Sequence, residues 1–191
     1  MAGTPQRFAV EDLVADARCA AVEAAASGGG AEIECGATTR LPARALAALA
    51  TLGGSCRLLN ASPEARLALA VLGYDRFLAE NQRGQAPAAA GTAFVARADG
   101  TAIAIEIDRK AGDDGRLAHA QSHRWMAGVA AERVLVDFAK VEHVNSSIVA
   151  WLLLLVQAAR PARFELRKVH RQVQAQLTQL RLNHLLTVKD S

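Results

Sequence analysis

The stretch VNSSIVAWLLLLV at residues 144–156 decides how the rest of the chain is interpreted. An asparagine and two serines stand directly before the apolar run at residues 148–156. Asn and Ser are favoured at helix starts because their side-chain oxygens accept hydrogen bonds from backbone N–H groups that have no partner inside the helix. The stretch therefore predicts the end of a strand, a cap formed by the serine pair, and a helix that is apolar on every side.

The composition of the 191-residue chain is typical of a soluble globular protein, with 51% hydrophobic and 21% charged residues. The longest apolar run is the one at residues 148–156, well short of the roughly 18–20 residues that span a bilayer, so we expect no membrane span. The N-terminus has no basic segment followed by an apolar one, so we expect no export signal. The sequence thus predicts a cytoplasmic protein.

Metal and disulfide chemistry are not expected from the cysteines and histidines. Cys19, Cys35 and Cys56 are odd in number and widely spaced, which favours free buried thiols over a disulfide framework or a zinc site. His119 and His123 have the spacing of two metal ligands on a helix, but no Glu completes an H-E-x-x-H motif and no third ligand is obvious. We therefore predict no metal and no cofactor.

The charge distribution does not favour a nucleic-acid partner. From residue 160 onward seven basic residues stand against two acidic ones. Aromatic side chains that could stack on bases are almost absent from this segment, so a solvated basic face is the better interpretation. The chain also has no set of nucleophile, base and acid, and we do not expect an enzyme.

Periodicity and turn residues predict an α/β fold in two domains. Strands are expected at residues 31–36, 56–59, 94–98, 102–107, 133–138 and 164–167. Helices are expected at residues 8–26, from about 43 to the glycines at 53 and 54, and at 62–72, 116–126, 148–156 and 171–180. The Gln, Gly, Pro and Ala residues near the middle indicate a linker at 81–92 between domains at 1–80 and 93–191.

The second half repeats the first. Residues 56–60 align without a gap on residues 164–168, and the match continues to residues 77–78 and 185–186. Upstream, with one gap, residues 33–35 align with 135–137 and residues 41–44 with 144–147. The first copy has Ala43 where the second has Ser146, and nothing in it matches the hairpin at residues 94–107. We expect a truncated first copy that lacks the N-terminal hairpin and is chemically silent.

The second copy resembles the STAS family, the sulfate-transporter and anti-sigma-factor-antagonist domain. The resemblance is carried by the order hairpin, helix, strand, helix, strand, helix and by VLVDFAKVEHVNSS at residues 134–147. Asp137 matches the family's strand-end Asp. Asn145 stands where the family has an acid, and Ile148 where it has a glycine. Residues 93–188 cover essentially a whole STAS domain and residues 8–80 about its latter two-thirds, which implies two STAS-like units, each a small mixed sheet packed with helices.

The resemblance implies a bacterial, non-enzymatic regulatory module that binds a protein partner. In the family's signalling members, the serine or threonine at the turn is phosphorylated by a kinase that also acts as an anti-sigma factor. By position that residue is Ser146, with Ser147 as second choice, and the implied partner surface is Asn145, Ser146, Ser147, Ile148 and Trp151. From the residues alone, a serine that only caps the helix is an equally weighted alternative.

A second implied role is that of a cytoplasmic accessory subunit of a lipid-trafficking ABC transporter, docked on the ATPase. The helix at residues 148–156 suits such a contact, because a helix on a sheet needs an apolar stripe of only about 100°. Its remaining apolar surface requires cover from the other copy, a second protomer in a homo-oligomer, or a partner. Packing between the two copies is the favoured expectation.

Overall fold

The computed structural model describes residues 4–36, 38, 40–52, 55–83, 93–111, 115–119, 121–182 and 187–189. The strands are β1 Gln6–Ala9, β2 Ala31–Glu34, β3 Leu41–Pro42, β4 Cys56–Leu59, β5 Phe94–Asp99, β6 Ala102–Ile107, β7 Val129–Ala130, β8 Arg133–Asp137, β9 Arg163–Arg167 and β10 Thr187–Lys189. The helices are α1 Asp16–Gly28, α2 Ala43–Thr51, α3 Pro63–Val71, α4 Glu80–Arg83, α5 Gln121–Arg124, α6 Ser146–Ala159 and α7 Arg171–Gln179. The predicted α/β class is confirmed.

Two sheets carry the fold, one in residues 4–83, the first half, and one in residues 93–189, the second half. The first sheet has the order β1-β2-β4, with all neighbours parallel. The second has the order β10-β9-β8-β6-β5, and only the β5–β6 hairpin in it is antiparallel. Alternate strand residues such as Ile33, Leu58, Val136 and Leu166 are completely buried in a core that runs through both halves.

The backbone of the two halves follows the predicted repeat closely after β4 and β9. Helices α3 and α7 begin and end at aligned positions. Asn60 and Lys168, which the alignment pairs, both take a positive φ, 55° and 53°. Gly73 and Arg181 are another aligned pair with positive φ, 74° and 56°. Because non-glycine residues seldom adopt this conformation, the match indicates the same turn at both places.

Upstream, the predicted alignment is wrong by one residue. Ile33 pairs with Leu58, and Val136 pairs with Leu166, so Ile33 corresponds to Val136. The counterpart of Asp137 is therefore Glu34, and not Cys35 as the sequence comparison placed it. A shift of one residue on a strand exchanges its two faces, and only the pairing of the strands shows which face is buried.

The N-terminal helix predicted at residues 8–26 begins later, because residues 6–9 form β1. This strand is parallel to β2 exactly as β6 is parallel to β8. The first half thus has a counterpart of one strand of the hairpin. In the described residues it lacks a counterpart of β5, and in place of β10 it has only an isolated bridge between Leu58 and Leu78. Of these four residues only Phe8 is even partly buried, so no alternation marked them as a strand.

The helix predicted at residues 116–126 is interrupted. The chain forms a 3₁₀ turn at Arg116–Ala118, helix α5, and a second 3₁₀ turn at Trp125–Gly128. Trp125 and Trp151 are both fully buried and donate from Nε1 to the same carbonyl, Ser122 O, at 3.0 and 2.9 Å. Packing of these two large side chains outweighs the preference for a regular helix.

The two halves are in direct contact. β3 pairs in parallel with β7. Arg40 donates from Nε to Val129 O at 2.9 Å, from Nη1 to Arg160 O at 2.7 Å and from Nη2 to Ala158 O at 3.4 Å. Of the predicted linker at residues 81–92, residues 81–83 end α4 and the rest lies outside the described residues. The assignment of two domains stays a prediction.

Candidate functional site

The strand-end carboxylate Asp137 is held by two donors. Lys168 Nζ donates to Oδ2 at 2.6 Å and the Ala139 N–H donates to Oδ1 at 2.8 Å. Partial burial alone would raise the pKa of Asp137, but these two hydrogen bonds and the charges of Lys168 and Lys140 outweigh it and lower the pKa below its usual value. Asp137 is therefore an ionised anchor of the turn after β8.

The loop from Asp137 to Asn145 is tied to α7 and the residues before it. Gln176 Oε1 accepts from the Val144 N–H at 3.1 Å, and His170 Nε2 lies 3.2 Å from Ala139 O. The Val141 N–H donates to Phe138 O at 2.9 Å. The sequence comparison did not single out Lys168, His170 or Gln176. Their position in the sequence could have indicated them, because parallel strands place the residues that follow their carboxyl ends along one edge of the sheet.

Asn145 caps helix α6. Its Oδ1 accepts from the Ile148 N–H at 3.0 Å, and its backbone is extended, as a capping residue requires. The serine pair that was expected to cap the helix instead forms its first two residues. Ser146 is exposed and Ser147 half-buried. Among the described residues, Ser146 Oγ has no hydrogen-bond partner, so a hydroxyl is presented to solvent in the first turn of α6.

Two members of the predicted partner surface are not accessible. Ile148 is 3% exposed and Trp151 is 1% exposed. Trp151 also packs against Phe94, with 5.5 Å between ring centroids. Both side chains lie on the face of α6 that faces the core, so they contribute to stability and cannot contact a partner in this conformation. The accessible part of the predicted surface is Asn145, Ser146 and Ser147.

Helix α6 buries one stripe of its surface and exposes two large apolar side chains. The stripe packs against α5 and the flanking 3₁₀ turns of the same half. At the C-terminal end of α6 the first copy contributes Arg40, which donates to Ala158 O and Arg160 O. Leu153 and Leu154 are 38% and 41% exposed. No helix in the described part of the chain, α6 included, has the length and apolar character needed to cross a membrane.

A cavity of about 230 Å³ lies beside the N-terminus of α6. It is lined by Asp108, Arg109, Lys140, Val141, Glu142, His143, Asn145 and Ile148. The lysine and arginine in this wall are paired: Arg109 lies 2.6 Å from Glu142, and Lys140 lies 2.6 Å from Glu106. The hydrogen bond and charge of Glu106 raise the pKa of Lys140. Charges of both signs therefore line the cavity beside the N-terminus of α6.

The first half has a carboxylate held in the same way as Asp137, but its corresponding helix does not begin with a serine. Glu34 accepts from the Gly36 N–H at 3.0 Å and from Asn60 Nδ2 at 3.0 Å, as Asp137 accepts from Ala139 and Lys168. Since the anchor occurs in both halves, it is a feature of the fold. The difference between the halves is at the helix start, where Ala43 is 1% exposed and Ser146 is exposed.

The three cysteines are free thiols. Burial raises the pKa of Cys35 to about 12 and that of Cys56 to about 11, so both remain protonated and unreactive at neutral pH. Cys19 is half-buried, and burial raises its pKa as well. The predicted burial holds for Cys35 and Cys56 but not for Cys19.

Comparison with known proteins gives no relative for this chain. It matches no protein-family model, and it matches no curated protein and no solved structure. The resemblance to the STAS family therefore rests on the order of elements, the turn at residues 134–147 and the repeat, and it stays a prediction.

Proposed function

We propose that the chain is a non-enzymatic protein-interaction module in which Ser146 is the phospho-acceptor, with Ser147 as second choice. The observation that carries the proposal is that Asn145 caps α6, which leaves the Ser146 hydroxyl exposed and unbonded within the described residues. A serine serving only as a cap would have its oxygen engaged with the helix N–H groups. The alternative of a purely capping serine is thus disfavoured.

A phosphate on Ser146 is compatible with the local fold. It would bring a charge of about −1.5 to −2 to the N-terminus of a helix, where the dipole and the amide groups favour an anion. The Asn145 cap would remain, and the loop before it is anchored by Asp137 and Gln176. Phosphorylation would therefore change the surface at Asn145, Ser146 and Ser147 without unfolding α6, and a partner that presents carboxylates or apolar side chains there would be repelled.

The proposed partner is a cytoplasmic kinase-like anti-sigma factor, as the resemblance to signalling STAS proteins implies. Capture from the native host followed by mass spectrometry tests this directly, because it identifies the bound protein and detects phosphoserine together. We expect wild type and Ser146→Ala to capture the same kinase-like protein and Ser146→Asp to lose it. Ala150→Asp is the matched control, since it adds the same charge at an exposed position one turn further along α6.

The outcomes of this experiment distinguish a switch at Ser146 from a general effect of charge on α6. Loss with Ser146→Asp but not with Ala150→Asp supports a switch at the serine turn. Equal loss with both variants assigns the effect to charge anywhere on α6. A complex that tolerates Ser146→Asp and yields no phosphorylated Ser146 sinks the proposed switch.

A second candidate function is docking on the ATPase of a lipid-trafficking ABC transporter. The observation in its favour is the adjacent exposed pair Leu153 and Leu154, an apolar patch on the outer side of α6. Replacement of both by lysine should abolish co-purification with an ATPase and a permease while leaving far-UV circular dichroism unchanged. Recovery with a soluble kinase alone would count against this candidate.

A further inference from the structure

A cavity with a mainly apolar wall lies between the two halves. Its volume is about 380 Å³, within the roughly 300–1,000 Å³ of typical small-molecule sites. It is lined by Val14, Arg40, Pro42, Ala43 and Arg44 of the first half and by Thr101, Ala130, Ala131, Glu132 and Pro161 of the second. Interfaces between structural units are a common place for ligand sites.

This cleft occupies the same place in the first half as the cavity beside Ser146 does in the second. Pro42 precedes α2 as Asn145 precedes α6, and each residue lines its own cavity. In the first half that position is bordered by β7 and the residues after it, and Arg40 joins the two walls through its hydrogen bond to Val129 O. The first half therefore has a site of its own that differs in chemistry.

The walls of the cleft are mainly aliphatic. Val14, Pro42, Ala130, Ala131 and Pro161 offer methyl and ring carbons that cannot hydrogen-bond. An apolar ligand group placed against them would leave water at a gain of about 25 cal/mol per Å² of apolar surface buried.

Arg44 supplies an exchangeable positive charge at the rim. Its guanidinium is paired with Asp16 at 2.5 Å, but the Asp16 side chain is 90% exposed and the Arg44 side chain 48% exposed. Exposed pairs of this kind contribute little stability and exchange readily. Arg40, in contrast, is committed to three backbone carbonyls. Glu132, the carboxylate in the cleft wall, accepts a hydrogen bond from Thr101 Oγ1 at 3.0 Å. A ligand anion would therefore bind at Arg44, in place of Asp16.

We propose that the cleft binds a small amphipathic carboxylate, whose carboxylate pairs with Arg44 and whose aliphatic chain lies against Val14, Ala130 and Pro161. Such a ligand contacts both halves and stabilises their association, since it binds only when they are packed together. The site does not depend on Ser146 or on any role of that residue.

The test uses the full chain and sodium octanoate as the probe, with isothermal titration calorimetry and thermal unfolding as readouts. We expect one saturable site and a melting temperature that rises with octanoate concentration. Arg44→Gln should weaken octanoate binding about tenfold, the effect of one charge-assisted hydrogen bond at a partly exposed site. Arg18→Gln is the matched control, an exposed first-half arginine also paired with an aspartate.

A second variant tests the apolar wall independently. Ala130 is exposed, so Ala130→Phe fills the cleft without disturbing the core, and it should abolish saturable binding. Octanol, which has the chain without the charge, should bind wild type about tenfold more weakly than octanoate and should not distinguish wild type from Arg44→Gln. The proposal is overturned by the absence of saturable octanoate binding, by binding that neither Arg44→Gln nor Ala130→Phe alters, or by equal weakening in Arg44→Gln and Arg18→Gln.

Discussion

Replacing Gly128 by alanine tests a close approach of backbone to backbone between the two halves. Gly128 ends the 3₁₀ turn that packs on α3. A Cβ atom at this position would collide with the Glu64 carbonyl group and lie 2.9 Å from Ala65 N, nearer than real Cβ atoms come to other atoms. Both neighbours are backbone atoms, so no change of rotamer relieves the collision. The turn and the helix must move apart.

The expected cost is about 3 kcal/mol of unfolding free energy, the upper end of the range for overpacking. The upper end applies because Trp125 and Met126, both 0% exposed, belong to the same turn and lose packing with it. The φ of Gly128 lies outside the left-handed region, so alanine adds no backbone strain there. For a chain of this size, about 3 kcal/mol lowers the melting temperature by roughly 6–12 °C.

Gly28→Ala is the matched control. Gly28 is in the last turn of α1 and nothing lies within 4 Å of a Cβ built on it. Alanine there should leave stability unchanged or raise it by about 0.4–1 kcal/mol. Far-UV circular dichroism during thermal and urea unfolding measures both variants. A Gly128→Ala protein that melts within about 2 °C of wild type would refute the reasoning, since the two backbones would then not be in contact.

Three further predictions concern the cap, the contact between the halves and pH. Asn145→Ala should lower the free energy of unfolding by about 1 kcal/mol and Ser146→Ala by less than about 0.5 kcal/mol, because Asn145 is the residue that caps α6. Urea unfolding measures both, and equal losses would contradict the prediction. Arg40→Met should lower the free energy of unfolding by roughly 2–3 kcal/mol, since three carbonyls lose a charged donor. Arg18→Met should change it by no more than about 0.5 kcal/mol, because Arg18 forms only an exposed ion pair. Similar losses in both variants would argue against Arg40 as a link between the halves. Burial, and secondarily the charge of Arg124, lowers the pKa of His123 in the folded chain below its usual value of 6.5. The unfolded chain therefore takes up a proton at higher pH than the folded chain, and stability should fall as pH drops below about 6.5. The variant His123→Gln should flatten that part of the curve of stability against pH, and an unaltered slope would contradict the prediction.

The elements that the sequence predicted correctly are those with a strong local pattern. Strand β4 has the predicted bounds, and β6 does too, because apolar alternation and the Asp99-Gly100 turn specify the hairpin. Helix α3 begins after Ser62, whose hydroxyl accepts from the Ala65 N–H at 3.1 Å. Cap, first-turn proline and first-turn acid are all signals within a few residues of the helix start.

The elements that the sequence missed depend on distant partners. Strands β1, β3, β7 and β10 have two to four residues each, and each pairs with a strand outside its own local segment. So short a run has too few side chains to show a period of two. Its hydrogen bonds come from a strand that is brought alongside only when the chain folds.

The candidate site was predicted in position but not in detail. The turn at residues 144–147 was identified from its polar residues before an apolar run, and Asp137 from the resemblance to the STAS family, whose strand ends in an aspartate. The assignment of the cap to the serines was wrong, because Asn, Ser and Thr are nearly equivalent as caps and only the backbone geometry distinguishes them. Trp151 looked like a partner contact because the run around it is apolar on every side.

The sequence by itself determined the α/β class, the internal repeat and the presence of an apolar helix behind a polar turn. These follow from side-chain periodicity and turn chemistry, which act over a few residues. Only the tertiary structure decided that Asn145 caps α6, that Trp151 is buried while Leu153 and Leu154 are exposed, and that the two halves meet at Arg40 and Gly128. Each of these depends on which distant surface packs against which face, and a helix that is apolar all round carries no local signal for that choice.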